Sequence, residues 1–346
     1  MILRKISLIG LVALGLMSTS VFSTVARFPS QSQTISKIAF GSCLKQGNDL
    51  SIFNSIIDKH PDLFVFGGDN VYADTTDESR LKSIYNTLGE SKEYKAFTAT
   101  VPVVATWDDH DYGINDAGAE HPEKVMSQRV FLDFFGEPKN SVRRRTGGVY
   151  TSYQFGPWNK RVNLIILDTR FFRSKLVRKK GSDGKKHYLK NKTSDATILG
   201  AKQWAWLEKE IKEPATLTII VSSIQILSNE HRFEKWGNYP YERERLLNLV
   251  KKSSLENVVF ISGDRHFSEI SKASLGPGKN LYEITSSGMN HGGRFGKHEN
   301  NPYRTAWIGE NGFSLLDIDW QKTGPKIKVN FYDVAGNIHT SKMLDL

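Results

Sequence analysis

Leu63-Phe-Val-Phe-Gly-Gly-Asp-Asn-Val-Tyr72 is the stretch from which the rest of the chain is read. Its apolar run is too short for a helix and rich in strand formers, so it reads as a buried strand. The paired glycines let the backbone turn sharply at its carboxyl end. Asp69 then stands at the rim of a sheet, where open α/β folds hold their ligands. An aspartate in such a place also serves as a plain turn or helix cap. Repetition decides between the two. Val101–Trp107 is a second apolar run and ends in Asp108-Asp109-His110-Asp111. Asn257–Ser262 ends in Gly263-Asp264-Arg265-His266, and Ile38–Gly41 ends in Ser42-Cys43. Val162–Leu167 ends in Asp168-Thr169-Arg170. Five buried runs thus carry carboxylates, imidazoles or a thiol to their carboxyl ends, as the rim of one assembled site would require.

The residue types point to metal. Carboxylates and imidazoles bind hard or borderline divalent and trivalent ions, and a thiolate adds a softer ligand. A cluster of acids without metal repels itself and shifts its own pKa values. Two ions about 4 Å apart resolve that repulsion, and one carboxylate can bridge them. Such a pair suits displacement at phosphorus, because it stabilises attacking and leaving oxygens and makes hydroxide available near neutral pH.

The chain has 346 residues, and no internal repeat or long linker divides it. Arg4-Lys5 precedes an uncharged apolar core, Ile6–Met17, and Thr24-Val25-Ala26 offers a cleavage point. Residues 1–26 therefore read as a secretory signal peptide, too short for a comfortable membrane span. A flexible lead over 27–36 and a catalytic domain over 37–346 follow, with the mature protein secreted or periplasmic and without a stable membrane span. Cys43 is the one cysteine, so no internal disulfide forms. A lone thiol in an exported protein is either a small buried hydrophobe or a metal ligand, and its strand-end position favours the ligand. Net charge is +10, and the stretch 173–192 holds nine Lys or Arg against Asp183 alone. Apart from that stretch and the signal the chain is near neutral, which argues against a long phosphate-tracking groove and a specific nucleic-acid partner. The basic stretch is a solvated surface loop or an attractor of anionic substrate.

Periodicity predicts helices over 50–59, 79–88, 92–98, 122–135, 200–211 and 241–251. Strands are expected over 147–155 and 161–167, joined as a hairpin through Gly156-Pro157, and over 216–222, 269–273, 280–285, 313–319 and 326–332. Strand–helix alternation followed by antiparallel strands implies an α/β fold with two packed mixed sheets and helices outside, a four-layer α/β/β/α sandwich.

Gly41-Ser-Cys43, Gly68-Asp-Asn-Val-Tyr72, Trp107-Asp-Asp-His-Asp111, Leu167-Asp-Thr-Arg170 and Ser262-Gly-Asp-Arg-His266 together resemble the signature set of the PhoD-like, alkaline phosphatase D family of the calcineurin-like metallophosphoesterase superfamily. Trp236, Tyr239, Glu242 and Arg243 are similar to that family's pattern before its last core helix. The resemblance implies that Cys43 and Tyr72 bind ferric iron and that Asp69 bridges to a second metal. It implies that Asp109 holds the second metal and that Asp264 and His266 complete the set. His110 becomes the general acid, oriented by Asp111. Iron(III) with calcium is the implied cofactor pair, with other divalent metals as alternatives. Asn70, Arg129 and Arg170 are candidate substrate contacts. Arg129 read plainly is a surface arginine, and Arg170 read plainly is a structural ion pair with Asp168. The implied activity is hydrolysis of phosphate monoesters, diesters or both, outside the cytoplasm. A nuclease-like phosphodiesterase and a catalytically silent surface-binding protein are the alternatives. Two features depart from the family: one Arg-Lys pair where exported members carry twin arginines, and Ser222-Ser-Ile-Gln225 where the broader superfamily has a metal-binding histidine.

Overall fold

Alternation along the Leu63–Gly67 strand sends its side chains into two different cores. Leu63 and Val65 join a cluster between two sheets, and Phe64 and Phe66 join a cluster under helices. The run is continuously apolar because both faces are buried, as parallel strands require. The same division holds at Leu217, Ile219 and Val221 against Ile220, and at Val259 and Ile261 against Val258 and Phe260.

The computed structural model describes residues 27–346. One sheet runs in the order β15 (Ile338–Leu344), β14 (Gly324–Asp333), β13 (Gly312–Gln321), β1 (Lys37–Gly41), β2 (Leu63–Gly67), β3 (Val103–Thr106). The other runs β12 (Arg304–Ile308), β10 (Ser268–Gly276), β11 (Lys279–Thr285), β9 (Val258–Ser262), β8 (Leu217–Val221), β5 (Val162–Ile166), β4 (Thr151–Phe155). A small hairpin, β6 (Arg178–Lys180) with β7 (Lys186–Tyr188), stands apart. Each large sheet contains a parallel run, β1–β2–β3 at one end of the first and β5–β8–β9–β11 through the middle of the second, and the remaining pairs are antiparallel.

Helices cover both outer faces. α1 (Ile52–Ile57), α2 (Glu78–Gly89), α3 (Lys92–Thr100), the single turn α4 (Asp109–Tyr112) and α5 (Lys124–Phe134) lie on the first sheet. α6 (Gly200–Glu210) and α7 (Pro240–Lys252) lie on the second. Three apolar layers result, which is the four-layer sandwich expected from the sequence. Local signals begin the helices. The Asp77 carboxylate accepts from the Arg80 amide at 2.7 Å before α2, and Pro240 opens α7 with its φ preset.

Several boundaries differ from expectation for identifiable reasons. The strand expected from Gly147 starts at Thr151, because Gly148 at φ +86° interrupts the extended chain. The edge strands β12 and β15 add to those expected: only one residue of each is buried, so neither carries the apolar run that marks a strand. The segment 27–36, expected as a flexible lead, is anchored at both ends, with residues 30–33 between them exposed. Phe28 packs on Tyr153 at 5.4 Å, Ile35 is fully buried, and the Ser36 amide donates to Asp62 at 2.7 Å. The signal peptide expected over 1–26 lies outside the described residues. Among the described residues no helix is long and apolar enough to cross a membrane.

Phe97 on α3 is fully buried, stacked on Phe53 at 4.7 Å and edge-on to Phe64 at 5.3 Å. Phe97→Ala is expected to cost about 3–5 kcal/mol of stability, the usual loss for emptying an aromatic core site. Urea unfolding followed by circular dichroism measures it, and a loss below about 1 kcal/mol would mean that this layer repacks freely.

Candidate metal centre

The parallel strands of both sheets end at one rim, and the backbone there is strained. Seven non-glycine residues adopt positive φ among those described: Cys43, His60, Asp69, Asp74, Asp116, Asp264 and His266. Such conformations cost of order 1–3 kcal/mol each and persist where the surroundings over-determine them. All but His60 belong to the cleft described here. Cys43 follows β1, Asp69 follows β2, and Asp264 and His266 follow β9. Close packing of the turns explains the glycines before them. A Cβ on Gly68 (φ +111°) would lie 2.7 Å from the Asp108 Cβ.

Three groups of side chains have ligand atoms within 4.8 Å of one another: Cys43, Asp69 and His266; Asp69, Asp109 and His110; Asp108, Asp109 and Asp264. Asp69 belongs to the first two and Asp109 to the last two, so the groups form one chain of donors. The Cys43 thiol lies 3.3 Å from Asp69 Oδ2, and so does the Tyr72 hydroxyl, which is also 3.3 Å from His266 Nε2. Ser287, just beyond β11, fastens this end. Its hydroxyl lies 3.1 Å from Cys43 Sγ and accepts from the His266 amide at 2.7 Å.

The other end rests on buried charge. The Arg170 guanidinium is wholly buried and pairs with Asp108 and with Glu234, whose second oxygen lies 2.8 Å from Arg173 Nε. Ser223, following β8, donates to Asp108 at 2.6 Å, and the Asp116 amide donates to Asp109 Oδ2 at 2.7 Å. Asp108 Oδ2 and Asp109 Oδ1 nevertheless remain buried with no hydrogen-bond partner. Buried carboxylate oxygens without partners are costly unless a cation takes them. A metal pair therefore fits the residues present. A thiol, a phenol and an imidazole converge at one end, and carboxylates at the other.

Protonation follows the same logic. Desolvation pushes the Asp69 and Asp264 carboxyls well up, with neighbouring acids adding to it, and raises Asp108 to about 6 against the pull of Arg170. Burial also raises the Cys43 thiol and the Tyr72 phenol. Asp109 alone is held low: burial opposes this, but Arg170 and His110 outweigh it. Asp69, Asp264, Cys43 and Tyr72 would thus give up protons on binding a cation, as ligand sets do, while Asp109 is already charged.

His110 is held by a partner other than the one expected. Its Nδ1 lies 2.9 Å from both oxygens of Asp74, and the Tyr72 ring covers the imidazole at 4.2 Å between centroids. Burial works against the imidazolium, but the Asp74 hydrogen bond and the charges of Asp109 and Asp69 carry its pKa up to about 10.

The expectation that Asp111 orients His110 is corrected. Adjacent helical residues do not face each other. Asp111 instead turns inward from α4, where it accepts from the Asp108 amide at 2.7 Å and from the Asn70 side chain at 2.5 Å. Asn70 is corrected as a substrate contact for the same reason: it is fully buried, and its amide also donates to the Thr106 carbonyl at 2.8 Å. Arg129 sits on the outer side of α5, half exposed, and pairs with Glu78 at 2.5 Å, away from the cleft. Arg170 is a buried ion-pair residue rather than a substrate contact, but its partners are Asp108 and Glu234. Asp168 meets only its backbone amide, at 2.8 Å. The structure brings together Cys43, Asp69, Tyr72, Asp109, His110, Asp264 and His266. It adds Asp108, Asp74 and Asp116. Asp108 was visible as half of an Asp-Asp pair, and Asp74 lies two residues past Tyr72, but no local pattern marks either one's direction. Within 173–192, Arg173 is buried in the core of charge, and Lys186 and Tyr188 on β7 reach the cleft wall.

Comparisons with known proteins agree with this geometry. Residues 38–314 match the model of the PhoD-like phosphatase family. Alkaline phosphatase D of Bacillus subtilis (strain 168) is 27% identical over 192 residues, an alignment covering 50% of this chain and 32% of that protein. The match thus spans about a third of that relative's length. The solved structure of PhoD superposes with a TM-score of 0.69 at 19% identity, covering 93% of this chain and 70% of that one. A dimetal phosphatase from Danio rerio shares the fold at a TM-score of 0.51 and 12% identity, covering 90% and 99% of the two chains.

Asp74→Asn is expected to lower the His110 pKa by about one to two units, the worth of one charge-assisted hydrogen bond. The sign follows because the imidazolium loses its anionic partner while the neutral ring loses little. NMR titration of His110 in chelator-treated protein measures it, with Asp111→Asn as the comparison. A larger drop in Asp111→Asn than in Asp74→Asn would return the orienting role to Asp111.

Proposed function

The chain belongs to the PhoD-like phosphatase family, and from that premise we propose that it is a metal-dependent phosphoesterase that hydrolyses phosphate monoesters, diesters or both. One observation carries the reading. Four carboxylates from three strand ends share one site with Arg170 as their main fixed counter-charge, and two of their oxygens lack partners. Bound cations would supply charge stabilisation of the oxygens at phosphorus and a nucleophile near neutral pH.

The protein's own residues do the rest. Cys43, Asp69, Tyr72 and His266 would hold one cation, and the thiol and phenol suit iron(III). Asp69, Asp108, Asp109 and Asp264 would hold the other, and an all-oxygen set suits calcium. Ser223 stands at the end of β8 where the broader superfamily has a histidine, and it serves by fixing Asp108. Arg170 and Ser223 keep the Asp108 carboxylate in place, and the Asp116 amide keeps Asp109 in place. His110, tied through Nδ1 to Asp74, has Nε2 free to give a proton to the departing oxygen. The Asp74 contact keeps that proton available toward alkaline pH, while bound cations oppose it. The apolar core Ile6–Met17 after Arg4-Lys5 supports export, and we place the activity outside the cytoplasm.

Chelation is expected to abolish hydrolysis of p-nitrophenyl phosphate and its bis-ester, and metal restores it. Purified protein should contain iron and be coloured by charge transfer from Cys43 and Tyr72. Cys43→Ser should lose the colour and most of the activity. Active native protein without iron by elemental analysis would overturn the iron assignment, and full activity after complete metal removal would overturn the metal-dependent reading.

His110→Asn separates proton donation from ligation. A donor matters most for poor leaving groups such as alkoxides and little for p-nitrophenolate. The variant should slow alkyl phosphate esters by about 10²–10⁴-fold more than p-nitrophenyl esters, with metal content preserved. Equal losses on both, or loss of metal, would make His110 a ligand or scaffold.

A further inference from the structure

The metal centre opens into a cleft of about 340 Å³, and part of its wall has no role in the chemistry above. That wall carries Lys186, Arg232, Phe233 and Phe295. Two of these are aromatic rings that stay in water, Phe233 at 37% and Phe295 at 60% exposure. Apolar rings left beside a highly charged centre are unfavourable unless something covers them.

The cations on this wall are not equivalent. Lys186 spends its charge on Asp116 at 2.6 Å, and Arg265 spends its own on Glu299 at 2.7 Å. Arg232 pairs with no carboxylate among the described residues. It is nevertheless held firmly. Its Nη1 donates to the Lys186 carbonyl at 3.0 Å, and its own carbonyl accepts from the Tyr188 amide at 2.9 Å. Its guanidinium carbon lies 4.0 Å from the centroid of the Phe233 ring, and that of Arg265 lies 4.5 Å from the same ring. Phe233 is thereby stacked with two guanidinium groups, and the β6–β7 hairpin clamps Arg232 from outside. A guanidinium already fixed by backbone and ring loses little freedom on binding an anion.

We propose that Arg232, Phe233 and Phe295 form the subsite for the organic part of the substrate, and that it selects small phosphate esters bearing a planar ring and a second negative group. Arg232 takes the second anion, the exposed ring of Phe295 packs on the substrate ring, and Phe233, already stacked with two guanidiniums, meets it by its exposed edge. The volume matches a small molecule rather than a polymer strand. The selection rests on the phosphoesterase reading above and is tested so that the two can fail separately.

The probes are ethyl phosphate, phenyl phosphate and 4-carboxyphenyl phosphate, each also as its methyl diester, with kcat/KM from release of phosphate or alcohol by the metal-loaded protein. Each variant is compared with the wild type as a ratio between two esters, so differences in leaving group cancel. Arg232→Gln is expected to lower the ratio of 4-carboxyphenyl to phenyl ester about tenfold, the loss of one charge-assisted contact. Arg232→Lys should recover part of it. Phe233→Ala should lower the ratio of phenyl to ethyl ester about three- to tenfold. If both ratios stay at the wild-type value in variants with normal metal content, the subsite is wrong and the phosphoesterase reading stands. Wild-type protein that cleaves none of the six esters overturns the phosphoesterase reading and the subsite with it.

Discussion

Like charges at close range set the terms for this structure. Two carboxylates about 4 Å apart in a partly screened protein setting repel by about 4 kcal/mol. Here Asp69, Asp108, Asp109 and Asp264 meet at one rim. Some must take up protons, or cations must enter. The fold sets one buried guanidinium directly against them, Arg170, which Asp108 and Glu234 hold from two sides. That leaves Asp109 charged and its neighbours shifted upward. The residues of the site therefore suit cations, whose charge would relieve this repulsion.

Strain accompanies charge. Cys43, Asp69, Asp264 and His266 all take backbone conformations that cost free energy, at places where ordinary loops would relax. Three apolar layers offset this cost. Strands whose two faces pack into different clusters cannot slide without exposing both. Rigid strands with sharp, strained ends place donor atoms from four parts of the chain to within ångströms, which a site made of loops alone would do less well.

The shared fold with PhoD at 19% identity shows how little of the sequence such a scaffold needs to keep. Apolar residues of varied identity fill the layers equally well. The rim tolerates less, because a bonded network such as Asp111 with Asn70, or Asp108 with Arg170 and Ser223, leaves a buried orphan when any one member is changed.

Much of this was legible in one dimension. Apolar runs of strand length, each ended by an acid, an imidazole or a thiol, have few readings other than a ligand rim on an α/β sandwich, because side-chain alternation and the chemistry of donors are local properties. Those properties marked Cys43, Asp69, Asp109, Asp264 and His266, and the family resemblance added Tyr72. What the chain order could not carry was direction and partnership. Asp111 neighbours His110 in sequence, but the helical turn points it inward, and Asp74, thirty-six residues earlier, comes back to hold the ring. Arg170 and Asp168 look like a pair, but the buried carboxylates that need a cation come from Asp108 and Glu234. Arg232 and Phe233 carry no motif, and only the folding of a hairpin against them makes a wall of the cleft. Local chemistry determined which residues can bind, and three-dimensional packing decided which of them meet.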